Sequence, residues 1–357
     1  MKTRISLFSV LLIFLSMSLI TCKKDKEELS AEDAKIEIRS ASQTVQANMN
    51  EMMATPAMSS MIYLSELMNM EGDWKSSAIN MEKYNLAVFN KIIRDNLKDD
   101  EIDPEEGGEY TFNFITEEFD LTDPSLSDLV LLFPADEEAM ANEEINGSLK
   151  LEDIEFVEIE YTDEWGTYTE QVLTKVKATL KIDNLTVMTC TYNATLNSEG
   201  LPVATSITYT MDPYQLTLTQ TGSGVNYTST ASLKKDGDVL LSYNLTIKYT
   251  ADQDDIEKLS GNFQLTPLRF EGEINGTGMN TCSELDVDCM NDHLDVEVIQ
   301  TENNSIIGHI EFRLFYDTYW EESYPEPVIV YSDGTYEWLF EALGVELEGL
   351  KAGILKR

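Results

Sequence analysis

From Tyr110 onward the side chains alternate with a period of two, run after run. That alternation most limits what this chain can fold into. In QVLTKVKATLKID, Val172, Thr174, Val176, Ala178, Leu180 and Ile182 share one face, while Lys175, Lys177 and Lys181 share the other. VATSITYTM repeats the pattern with Val203, Ile207, Tyr209 and Met211. VLLSYNLTIKYT repeats it again with Val239, Leu241, Tyr243, Leu245, Ile247 and Tyr249. Successive side chains of a strand point to opposite faces, so each run reads as a strand with one apolar face and one rich in Thr, Ser and Lys. NSEG and KKDGD fall between such runs and read as hairpin turns. The runs exceed the usual length of about five or six residues. Together they predict a large antiparallel meander that is wet on one side.

The apolar face of such a sheet must be covered, and the nearest cover is helical. Residues 31–98 carry a helical pattern. Ser30 suits an N-cap, and Glu32 and Asp33 suit the first turn. Pro56 ends or kinks the first helix. A second piece runs from Ala57 to Met70 and stops near Gly72. A third places Leu86, Phe89, Ile93 and Leu97 on one stripe. The acidic loop KDDEIDPEEGGE, with Pro104 and Gly107-Gly108, marks a boundary, and residues 109–357 form the β-rich region. Late in the chain, Ser332-Asp333-Gly334 signals another hairpin, and EWLFEALG reads as a helix stopped by Gly344. The closing VELEGLKAGILKR reads as a helix or a strand. The expected fold class is α+β. N-terminal helices pack on a large, curved, mostly antiparallel sheet of the meander or half-barrel kind.

The first residues speak to location. Lys2 and Arg4 form a positive start, and Ile5 to Ile20 are apolar apart from four serines. The stretch is short for a transmembrane helix, which needs about 20 apolar residues. It ends Leu19-Ile20-Thr21-Cys22, and charge begins at Lys23. This resembles the bacterial lipobox. The resemblance implies that residues 1–21 are a lipoprotein signal peptide and that Cys22 takes a diacylglycerol and becomes the mature N-terminus. One acyl chain anchors only marginally, at about 0.8 kcal/mol per buried CH₂, whereas two or three hold firmly. Residues 22–30 then serve as acylated cysteine and tether. Lys23-Lys24-Asp25-Lys26-Glu27-Glu28 also resembles the surface-export tag of some Bacteroidota lipoproteins. The expected location is the bacterial cell envelope, lipid-anchored at the outer membrane, with the periplasmic and surface faces both open.

Charge narrows the partners. The formal net charge is −40, and removing Lys2 and Arg4 makes the mature chain more acidic still. Nucleic acid demands a basic surface and is excluded as a partner. The apolar fraction of 42% marks a globular chain rather than a disordered acidic one. In an oxidising envelope, Cys282 and Cys289 around the polar loop CSELDVDC should form a disulfide. Cys190 lies on the apolar face of a strand with Met188, Tyr192, Ala194 and Leu196, and reads as a buried thiol.

Catalytic signals are sparse. The two histidines, His293 and His309, sit in no recognisable motif. Among 65 acids, no carboxylate pair stands out for glycosidase chemistry. Asp286, Asp288, Asn291 and Asp292, and the DQDD cluster at 252–255, offer oxygens to calcium but do not fit an EF-hand. Met49, Met52, Met53, Met58, Met61, Met68, Met70 and Met81 crowd the helical region. Core packing is their first reading, an apolar ligand surface the second, and copper the third. No catalytic residue, cofactor or metal is assigned.

GGEYTFNFITEEFDLTDPSLSDLVLLFPA and the late SDGT hairpin with its aromatic helix resemble uncharacterised Bacteroidota lipoproteins. That resemblance implies no activity. The expected function is a non-enzymatic, lipid-anchored envelope protein acting as a binding or structural module. The partner expected for Cys22 is the membrane, through its covalent lipid. The rival is a carrier of lipid or another apolar ligand, resembling envelope lipid-carrier lipoproteins. It would need a cavity between helices and sheet. An enzyme would need His293, His309 or a carboxylate pair in a concave pocket.

Overall fold

A computed structural model describes residues 27–68, 107–163, 166–197, 202–251, 255–317 and 322–344. The signal segment with Cys22, the third helical stripe at Leu86–Leu97, Asp252 to Asp254 of the DQDD cluster and the closing VELEGLKAGILKR lie outside them. The fold is α+β: helices pack with a large, open, mostly antiparallel sheet.

The described helices are α1 (Ala31–Met53), α2 (Pro56–Leu67), α3 (Glu137–Ala141), α4 (Gly276–Met279), α5 (Val287–Asn291) and α6 (Leu339–Ala342). The strands are β1 (Gly108–Asn113), β2 (Glu118–Asp123), β3 (Leu129–Phe133), β4 (Gly147–Asp163), β5 (Gly166–Ile182), β6 (Leu185–Leu196), β7 (Pro202–Met211) and β8 (Tyr214–Ser223). They continue as β9 (Asn226–Lys235), β10 (Asp238–Tyr249), β11 (Ile256–Leu265), β12 (Leu268–Asn275), β13 (Leu294–Gln300), β14 (Ile306–Asp317), β15 (Glu322–Val330) and β16 (Tyr336–Trp338). Hydrogen-bonded neighbours follow chain order from β3 to β16, as a meander should. The exception is at the start. There β1 pairs parallel with β3 and antiparallel with β2, which leaves β2 outermost.

The chain divides into two compact units, Met1–Asn48 with Gln220–Arg357, and Met49–Thr219. In the first unit, α1 supplies the cover that the apolar face requires. Ala34, Ile38 and Ala41 recur at helical spacing and are fully buried. They pack with Phe270, Val298 and Ile329, which are also fully buried. The alanines let the helix approach closely, and the single Ile38 fills the remaining space. Ser30 caps the helix as its sequence suggests, accepting from the Asp33 N–H at 3.2 Å. On the helix flank, Lys35 lies 4.9 Å from the centre of the Tyr331 ring, and Glu337 sits 3.6 Å from both Lys35 and Arg39.

The chain just before α1 is itself docked. The Leu29 N–H donates to the Ile306 carbonyl at 2.9 Å, and the Ile306 N–H donates to the Glu27 carbonyl at 2.9 Å. Ser332 donates its hydroxyl to the Leu29 carbonyl. Residues 27–29 therefore belong to the fold.

The second unit is built on the 17-residue strands β4 and β5. Lys177 opposes Glu152 and Lys175 opposes Glu155 across the ladder, and both pairs are joined. This accounts for the lysine-rich face of β5. A bulge in β4 puts Asp153 at φ 57°, and the bulge bends the strand locally. Thr55 caps α2, directly before Pro56, so the proline starts a helix here after the first has ended.

Candidate functional site

Strand β14 joins two features. At its first residue, Ile306, it holds the backbone of Glu27 and Leu29. Towards its other end it carries Arg313 and Phe315 on one face, beside β15 and β16. Register places Phe315 opposite Tyr324 and Arg313 opposite Glu326, and it places Trp338 opposite Val328. The rings form a chain. Tyr324 and Phe315 are 5.5 Å apart, Phe315 and Trp338 5.4 Å, and Trp338 and Tyr336 5.8 Å. The last two contacts are edge-to-face, the arrangement that ring quadrupoles favour. The Arg313 guanidinium lies 4.8 Å from the Tyr336 ring centre. Glu311 joins the group, 2.9 Å from Arg313 and 3.0 Å from His309.

This surface is amphipathic and reachable. Tyr336 is 43% exposed, and the other rings are half-buried. It offers aromatic faces and one guanidinium, residue types enriched at recognition surfaces, beside a carboxylate and an imidazole. Sequence analysis missed it because its members come from three strands. The aromatic density of FYDTYWEESY was the available signal.

The residues singled out from sequence take other places. Cys22 lies outside the described residues. Cys282 and Cys289 are joined by a disulfide. The His293 ring lies over Gly278 so closely that a Cβ there would come within 2.5 Å of it. The ligand atoms of Cys282, Cys289 and His293 fall within 4.8 Å of one another, but both sulfurs are spent in the bridge. His309 pairs with Glu311 as described above.

Two of the calcium-type residues of this loop, Asp286 and Asn291, are engaged in structure. Asp286 caps α5 by accepting from the Cys289 N–H. Asn291 clamps β14, accepting from the Phe312 N–H at 2.7 Å and donating to its carbonyl at 3.1 Å. Asp255, the described member of the DQDD cluster, answers Thr250 through its backbone.

Cys190 is buried and free, and burial pushes its thiol up to about 12. Of the early methionines, Met52 is buried. Met49, Met53, Met58, Met61 and Met68 are half-buried, and Met70 and Met81 fall outside the described residues.

The second unit has an open cleft of about 360 Å³ lined by Ser127, Asp128, Glu152, Asp153, Glu158 and Gln171, among others. Lys150 bridges Asp128 and Glu152 at 2.9 and 2.7 Å. Hydrogen bonds from Lys150 and then Lys177 hold the Glu152 carboxyl down at about 2. A cleft of this lining suits water and ions rather than an acyl chain.

Among the described residues, no helix is long and apolar enough to cross a membrane. Comparison with protein-family models, with curated proteins and with solved structures finds no match to this chain.

Proposed function

We propose that this chain is a non-enzymatic lipoprotein of the bacterial envelope, of the Bacteroidota type. It is tethered through an acylated Cys22 and works as a binding module. The observation that carries the reading is the layout of β14. Its first residue grips the chain that follows the anchor. The patch runs along the same strand, from His309, three residues further on, to Phe315. The ten residues from Ile306 to Phe315 span about 30 Å. The five residues from Cys22 to Glu27 reach at most about 18 Å. The short tether therefore keeps the module close to the bilayer, and with it the patch that runs along β14 from His309 to Phe315.

The interior of the first unit supports a module over a carrier. Helix and sheet fill one another there, with Ile38 against Phe270, Val298 and Ile329. A carrier of apolar ligands needs those faces apart.

Radiolabelled palmitate and membrane fractionation test the anchor. The wild-type chain should label and sediment with membranes, and Cys22→Ser should do neither. Labelling that survives the substitution would remove the anchor from the account. A lipid-like species retained by the purified protein would favour the carrier.

A further inference from the structure

The two margins of the sheet are treated differently, and the difference points to a partner. The β15 margin is closed to strand addition. Proline has no N–H, and alternate residues of a strand send their N–H groups to the same side. β15 pairs with β14 along its whole length, so Pro325 and Pro327 strip donors from the outer side. Beyond them, the three-residue β16 covers Val328 to Val330. Natural edges are blunted by such devices.

The β2 margin has neither a proline nor a covering strand. It pairs with β1 in regular register from Glu118 to Leu121, a bulge follows at Thr122, and among the described residues nothing lies beyond it. Its side chains are turned outward: Leu121 is 51% exposed, and Ile115 in the preceding turn is 93% exposed. Glu118 and Asp120 share one face, with Asp120 also accepting from the Asn113 amide at 2.7 Å, while Asp123 stands beyond the bulge and accepts from Ser125. A second copy of this strand would set carboxylates against carboxylates and is repelled. A cationic strand with apolar residues between its charges meets both the acids and Leu121.

We propose that the outer edge of β2 is a docking strand for another protein. It takes up an extended segment in which lysine or arginine alternates with apolar residues, as an added strand of the sheet. The inference goes beyond the tethered-module reading and does not depend on Cys22.

The test is fluorescence anisotropy on the full mature chain, with a labelled eight-residue peptide alternating Lys and Val. Two control peptides accompany it, one with Glu for Lys and one N-methylated throughout. Saturable binding is expected for the first peptide alone. It should weaken at least tenfold with Glu118→Lys, weaken with Leu121→Ala, and fall with added salt. Hydrogen exchange on the wild-type complex gives an answer that needs no variant: the amides of Glu118 to Leu121 should gain protection. Equal binding of the N-methylated peptide would overturn strand addition. Equal binding of the Glu peptide would overturn the charge argument. Absence of binding, or protection elsewhere with β2 unchanged, would overturn the site.

Discussion

Ile38 is the best place to test whether α1 is structurally required by the sheet. Its side chain is fully buried between the helix and the strands that carry Phe270, Val298 and Ile329. Ile38→Ala removes three carbons. At about 0.8 kcal/mol each, the transfer loss alone is about 2.4 kcal/mol. The flanking Ala34 and Ala41 have nothing to move into the space, so a cavity cost adds to it, and a total of about 3–4 kcal/mol is expected. Ile36 is the internal control. It lies on the same helix, two residues away, and is 58% exposed. Ile36→Ala should change stability by no more than about 0.5 kcal/mol.

The chain has two units, so a single unfolding curve need not be two-state. Native-state hydrogen exchange at the amides of Phe270, Val298 and Ile329 reports the relevant unit directly. Their opening free energy should drop by the full amount in Ile38→Ala and stay put in Ile36→Ala. Equal effects of the two substitutions would refute the packing, because helical register alone separates these residues.

Three further outcomes follow from the geometry. Gly261 stands at φ 153° opposite Gly272, and an added Cβ would run into the Asn244 carbonyl and come 2.7 Å from the Leu245 Cα. Gly261→Ala should therefore cost about 3 kcal/mol by the same hydrogen-exchange measurement, with backbone rather than side chain resisting. Cys190 should resist iodoacetamide in the native chain at pH 8 and react in urea. Its thiol titrates higher when folded, near 12 against 9.0, so it adds stability below pH 9 that is lost as pH rises towards 12. Reduction of Cys282–Cys289, seven residues apart, should lower stability by about 2–3 kcal/mol on the chain-entropy argument, measured by urea titration with and without dithiothreitol.

Much of this fold was legible because period two is a local signal. Val176, Ala178 and Leu180 had to share a face whatever their neighbours did, and all three are buried. The KKDGD turn was legible for the same reason: Asp236 and Gly237 adopt φ 53° and 92°, as a tight hairpin needs. Pairing between distant residues was not legible. Nothing local to Gly108 announces a parallel partner at Leu129. Nothing in Glu27 announces Ile306, because a backbone hydrogen bond leaves no mark on side-chain choice.

The oxygens around Asp286 show how residue type leaves roles open. Residue type suggested a ligand set, but capping and clamping employ the same Asp and Asn oxygens. The aromatic patch was hidden because its rings meet only through the register of β14, β15 and β16.

The most direct test of a filled module is native mass spectrometry of residues 23–357, exported to an oxidising periplasm and purified gently. The account expects a bare chain. On denaturation its mass should fall two hydrogens short of the reduced value, reporting the Cys282–Cys289 bridge. A species of lipid-like mass that stays bound in the native spectrum and leaves on denaturation would contradict it, and would make the protein a carrier.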